Sequence, residues 1–360
     1  MISTLRTFRL VCLLLLATPA YPAEPTAEQF ATALVEIDSV INPDGRTVAT
    51  LGAHRSGSGV VIDTDGLIVT VGYLLLEATE VTVSFYTGLQ LPANIVSVDP
   101  SSGLALLRID AQTEALPAVR PLKLGKSALL MTDERVIVMP AGGVDVATSV
   151  TVHSIREFAA PWEYLLDRAI YTTPPLRNFS GAALINRDAE LVGVGTLALQ
   201  NVTDASEGGQ PGNVFIPVDL LAERLGLLLA DVAHGRAWLG LMIDRQLTVT
   251  RVLDESPADQ AGVQQGDIIV GLDNTHVLTR PDLYRLLWSA AETQNAKQSL
   301  AEDSVESKGD SAGSEKQSNT PSDIQNDKQS TATLLVSRDS ELIPIEVLTT
   351  DRSSWLAKTQ

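Results

Sequence analysis

The sequence predicts a mainly β protein: an all-β barrel or sandwich over the first two thirds of the chain, then a smaller α+β unit. Three observations carry that expectation. Short β-rich runs separated by turn signals recur from Ala31 to about Phe215, which is how closed antiparallel sheets read. After Pro217 the period changes, and Leu220, Leu221, Leu225 and Leu228 fit one face of a helix running to about Ala233. A second unit with its own strands and one well-signalled helix opens at Trp238.

Taken in order, Gly59–Ile62 and Leu67–Thr70 flank Asp63-Thr64-Asp65-Gly66, a hairpin with Asp-Gly in the turn. Val81–Phe85 alternates by two, so one face is expected to be buried and the other wet. Arg135–Met139, Val150–Ile155, Ala183–Asn186 and Leu191–Gly195 repeat the strand theme. In the second unit Thr279 stands three residues before Asp282, an approximate capping box ahead of Leu283, Leu286 and Leu287. From Glu292 to Thr331 eight acidic and four basic residues lie among Ser, Gln, Asn and Ala without one aromatic. Such a segment buries too little apolar surface to offset its ordering entropy and is expected to be a disordered insertion inside the domain. Order is expected to resume at Thr333–Val336, with a turn at Arg338-Asp339-Ser340 and a last strand at Ile343–Leu348.

The 360 residues carry 26 Lys and Arg against 44 Asp and Glu, a formal charge of −18. That balance excludes a nucleic-acid binder, since phosphate affinity needs clustered Lys and Arg, and it disfavours a polybasic membrane contact. Arg6 and Arg9 precede the apolar run Leu10–Ala17, which ends in small residues and Pro. Residues 1–23 therefore read as a cleavable secretory signal, too short for a stable membrane span, with cleavage after Ala20 or Ala23. Its removal leaves 24 basic and 44 acidic residues, and takes away Cys12, the chain's single Cys. No disulfide, thiolate or Cys-based metal site is then expected. No two His stand at ligand spacing, so neither a metal nor a cofactor is expected.

The run Gly57–Thr70, then Asp99-Pro100 before Leu104–Arg108, then Ser180-Gly181 before Leu184-Ile185-Asn186, resembles in order and spacing the HtrA/Deg family of serine endopeptidases. Trp238–Met242, Ser256-Pro257-Ala258, Ala261-Gly262-Val263 and Gly266–Ile269 resemble that family's PDZ framework. The resemblance implies a trypsin-like double β-barrel followed by an α+β PDZ domain. It divides the chain into a signal (1–23), a protease-like domain (24–234), a PDZ domain (235–350) interrupted at 292–331, and a C-terminal tail (351–360). It implies a periplasmic or secreted location. It also implies that Leu239, Gly240 and Leu241 form the loop whose N–H groups receive a peptide's terminal carboxylate, while the peptide adds as an extra strand. The expected partners are C-terminal peptides, or unfolded and envelope proteins. A homotrimer or an assembly with an active relative is the expected oligomer.

The triad departs from the family pattern. Where the family reads Thr-Asn-Ala-His-Val, this chain reads Thr70-Val71-Gly72-Tyr73-Leu74, so Tyr73 stands at the base. The orienting acid is replaced by Gly103. The nucleophile motif becomes Asn178-Phe179-Ser180-Gly181-Ala182-Ala183, in which Ser180 remains. A serine hydroxyl is a poor nucleophile until a neighbour of suitable pKa takes its proton. Tyr, with a reference pKa near 10, is roughly a thousandth ionised at neutral pH. None of His54, His153, His234 and His276 matches the missing base. A pseudoprotease acting through its PDZ domain in envelope protein quality control is the expectation; the alternative is a serine endopeptidase that uses Ser180 with an unconventional base.

Overall fold

The structure, a computed structural model, describes residues 27–110, 117–203, 209–230, 236–291, 293 and 330–357. The expected signal at 1–23 lies outside these residues, as does most of the expected insertion.

Two six-stranded barrels come first. One is closed by β1 (Leu34–Ile41), β2 (His54–Val61), β3 (Leu67–Val71), β4 (Ala78–Ser84), β5 (Gln90–Val98) and β6 (Leu104–Ile109), in the order β1-β2-β3-β6-β5-β4. The other holds β7 (Arg135–Met139), β8 (Thr148–Ala160), β9 (Tyr164–Thr173), β10 (Ala183–Ile185), β11 (Leu191–Leu199) and β12 (Gly212–Pro217), in the order β10-β11-β12-β9-β8-β7. Closure leaves no free sheet edge. Inward Val, Ile and Leu from both barrels share one buried cluster that includes Ile37, Ile68, Leu106 and Val194. The β8–β9 hairpin pairs as far as Ala160 and Tyr164, so only Pro161, Trp162 and Glu163 form its tip.

The helix Val218–Leu229 leads to the third unit. There β13 (Leu241–Ile243) pairs with β14 (Val249–Val252). A second sheet holds β15 (Ile268–Leu272), β16 (Thr275–His276), β17 (Ser330–Arg338) and β18 (Glu341–Thr349) in the order β16-β15-β17-β18. Helix 280–291 starts as its capping signal predicts: Asp282 N–H donates to Thr279 Oγ1 at 3.3 Å and the Thr279 hydroxyl donates to Asp282 at 2.7 Å. The expected insertion was drawn to residue 331, but β17 already begins at Ser330, whose hydroxyl is 2.8 Å from Thr349 Oγ1 across the sheet.

The C-terminal segment, expected as a tail, is a helix at Arg352–Ala357 with Trp355 and Leu356 buried. Trp355 lies 4.9 Å from the ring of Trp238, beneath the Arg46 guanidinium, and donates to the Asp254 carbonyl at 3.2 Å. Arg46 also pairs with Glu255. This contact joins the first barrel to the third unit, and burial of an aromatic ring explains why so short a segment is ordered. Among the described residues no helix is long and apolar enough to cross a membrane.

Candidate functional site

Ser180 sits in the turn before β10 and Tyr73 in the single helical turn Gly72–Leu74 that follows β3. The fold brings them together across 107 positions, with Tyr73 Oη 2.5 Å from Ser180 Oγ. The Ser180 turn is fixed from behind: its carbonyl accepts from Ser58 N–H at 2.8 Å, and Gly181 N–H donates to the Gly195 carbonyl at 2.8 Å. Gly181 has φ +69°, and a Cβ there would lie 1.8 Å from the Ser58 carbonyl oxygen, so only glycine lets the turn press onto β2. Burial pushes the Tyr73 phenol above its ordinary pKa, against the opposing effect of its bond to Ser180. The phenolate that would act as a base is thus scarcer here than in water.

Gly103 stands beside this pair, and its carbonyl accepts from Gly72 N–H at 2.7 Å. Any side chain at 103 would meet Tyr164, because a Cβ there falls 2.7 Å from Tyr164 Oη on a backbone with φ +77°. Tyr164 is buried and donates to the Ser102 carbonyl at 2.8 Å. The nearby Asp99 faces elsewhere: its carboxylate accepts from Ser101 N–H, the Ser102 hydroxyl and Arg224 Nε, the last at 2.6 Å. His54 and His276 are exposed on β2 and β16, and half-buried His153 lies on β8. His234 lies outside the described residues. Among the described residues no group of three His, Cys, Asp or Glu gathers as a metal site would require.

A second polar constellation lies at the start of β13. The N–H groups of Leu239, Gly240 and Leu241 all donate to one carboxylate, that of Glu163, at 2.8, 2.8 and 2.9 Å. Glu163 is at the tip of the β8–β9 hairpin and is itself buried. Burial pushes its carboxyl up to about 7, while the N–H groups of Leu241, Leu239 and Gly240 and the charge of Arg352 pull it down. A cavity of about 110 Å³ separates the two constellations, walled by Tyr73, Gly103, Trp162, Glu163, Tyr164 and Trp238 among others.

The profile of the trypsin-like peptidase domain matches residues 57–194, and that of the PDZ domain matches residues 248–295. A probable periplasmic serine endoprotease DegP-like of Ectopseudomonas mendocina is 28% identical over 279 residues, covering 73% of this chain and 56% of the relative. The serine endoprotease DegS of Haemophilus influenzae is 27% identical over 247 residues, covering 66% of this chain and 70% of the relative. A solved HtrA-type protease AlgW with a decapeptide superposes with a TM-score of 0.50 at 17% identity, covering 91% of this chain and 97% of that one. An AlgW variant with a tripeptide gives 0.51 at 18% identity, covering 91% and 96%. The chain carries a trypsin-like peptidase domain followed by a PDZ domain and is similar to HtrA-type serine endoproteases.

The chain spans about half the length of the DegP-like relatives it matches, and the fold is what the AlgW structures share with it. Within it, the residues singled out in the sequence fall into two groups: Tyr73, Ser180 and Gly103 converge at the junction of the two barrels, and Leu239, Gly240 and Leu241 stand together at β13. Two residues that sequence reasoning passed over, Glu163 and Tyr164, connect the groups. Neither belongs to a motif, and a lone acid after Pro161-Trp162 reads as an ordinary turn residue.

Proposed function

We propose that this HtrA-like chain is proteolytically silent and acts in the periplasm through its PDZ domain, binding peptides or partner proteins as an adaptor or regulatory subunit in envelope protein quality control. The observation that carries this reading is the Tyr73–Ser180 hydrogen bond: the group within reach of the serine hydroxyl is a phenol whose pKa is raised by burial. An effective base needs a pKa near the working pH and an orienting partner, and the place for that partner is filled by Tyr164 against Gly103. In enzymes of this mechanism, loss of the base costs about a millionfold in rate. Assembly with an active relative fits the same reading, because a silent subunit still offers a binding domain.

The 2.5 Å separation also supports a second reading, a serine endopeptidase in which Tyr73 takes the proton from Ser180. A fluorophosphonate probe separates the two. The silent reading expects no labelling of the purified protein and no cleavage of unfolded casein. Labelling that disappears in Ser180→Ala would establish the endopeptidase and remove the adaptor reading.

A further inference from the structure

We infer that the tip of the β8–β9 hairpin is a built-in ligand of the PDZ groove, with the Glu163 side chain occupying the place of a peptide's terminal carboxylate, so that an external peptide must bring a free C-terminal carboxylate and displace the hairpin. The inference rests on the PDZ domain being a peptide-binding module, as proposed above.

The contacts follow the pattern by which an extended peptide adds to a sheet edge. One carboxylate takes three consecutive backbone N–H groups, the geometry of an anion-binding nest. Two residues before Glu163, the Pro161 carbonyl accepts from Ile243 N–H at 3.0 Å, continuing the main-chain pairing along β13. The opposite wall, helix 280–291, closes on the same segment: Tyr284 Oη donates to the Ala160 carbonyl at 2.8 Å and accepts from Glu163 N–H at 3.2 Å. Arg280 spans the groove, donating to the Ala159 carbonyl at 2.9 Å and to the Ile243 carbonyl at 3.1 Å. At the flank Arg285 pairs with Glu157 and Asp167, both at 2.5 Å and one on each strand of the hairpin.

Glu163 shows that the arrangement is specific. Its backbone has φ +58°, a left-handed conformation that a residue with a side chain adopts at a cost. A lone buried carboxylate is also unfavourable unless hydrogen-bonded. Both costs are offset only while the three N–H groups face it. Because the hairpin belongs to the same chain, it competes at an effective concentration in the millimolar range, and an external peptide of micromolar affinity meets an already occupied site.

The test uses the full chain and two fluorescein-labelled heptapeptide pools randomised at the last four positions, one with free C-termini and one amidated. Amide hydrogen exchange is followed at Leu239, Gly240 and Leu241, with β17 and β18 as the reference for an intact domain. In Glu163→Ala we expect exchange at the three amides to rise by at least about tenfold with β17 and β18 unchanged. We also expect the free-acid pool to bind this variant at least about tenfold more tightly than wild type, with no gain for the amidated pool. Glu163→Gly, which removes the same carboxylate and suits the φ +58° backbone, is read in the same way if the alanine variant does not fold. Unchanged exchange at the three amides overturns the inference, as does equal affinity of wild type and variant for the free-acid pool. Faster exchange without any peptide binding supports the built-in ligand and instead overturns the peptide-binding function.

Discussion

The junction of the barrels and the PDZ groove are both filled by the protein's own side chains, and they are filled in different ways. At the junction, Tyr73 lies against Ser180 and Tyr164 fills the space beside Gly103. Serine-protease chemistry depends on particular side chains, so under the silent reading proposed above the residues at 73 and 103 are enough to remove it. At the groove the N–H groups of Leu239, Gly240 and Leu241 converge on a carboxylate that comes from a hairpin in another domain. A site built from backbone survives sequence drift as long as the fold does, and what changes is its occupant. Consecutive residues of one hairpin, Glu163 and Tyr164, occupy the two places.

The comparison is most severely tested by introducing an acid at 103, where the family resemblance expects one. Gly103→Asp must place a Cβ within 2.7 Å of Tyr164 Oη on a backbone of φ +77°, and overpacking with added strain is expected to cost about 2–4 kcal/mol. Urea denaturation should show it, and Tyr73→His combined with Gly103→Asp should restore no fluorophosphonate labelling. A variant within about 0.5 kcal/mol of wild type would mean that the junction retains room for a triad. A smaller loss is expected for Tyr164→Phe, which leaves the Ser102 carbonyl without its hydroxyl donor. Denaturation should report about 1–3 kcal/mol, the range for a buried polar group that loses its partner, and no loss would show that Tyr164 only fills space.

Much of this was legible in the sequence because it is periodic or motif-bound. The alternating and apolar runs anticipated strands such as β3, β4 and β7, and the Gly57–Thr70 motif located Tyr73 by its neighbours although the residue itself departs from the family. The capping pair Thr279 and Asp282 announced helix 280–291. Glu163 was not legible, since it lies 76 positions from Leu239 and its role depends on how the domains dock, which no local pattern encodes. The helix Arg352–Ala357 was missed for a related reason: six residues are too few to show a period, and their order comes from Trp355 packing on Trp238.

The gentlest way to sharpen the comparison is pH, because the groove's occupant titrates. Glu163, up to about 7 in the docked state, returns to the ordinary glutamate range near 4.3 when the hairpin swings into water. The docked state therefore holds more protons between those two values. Linkage then makes docking strongest in acid and weaker as pH rises through about 7, by about 1 kcal/mol between pH 6 and pH 8. The charged group that acts on the carboxyl is Arg352, which lowers its pKa; Tyr284 on the opposite wall meets the Glu163 N–H, and its own phenol is held protonated by burial and by Glu163. Protonated Glu163 keeps a carbonyl oxygen for the N–H groups of Gly240 and Leu241, so acid does not undo the contact. Exchange at residues 239–241, corrected for its intrinsic pH dependence and referred to β17 and β18, should show less protection at pH 8 than at pH 6. The Tyr73–Ser180 pair has no group titrating in that interval and gives the control. Protection that rises with pH would mean that the three N–H groups and Arg352 outweigh burial, and that the hairpin is held as a full anion.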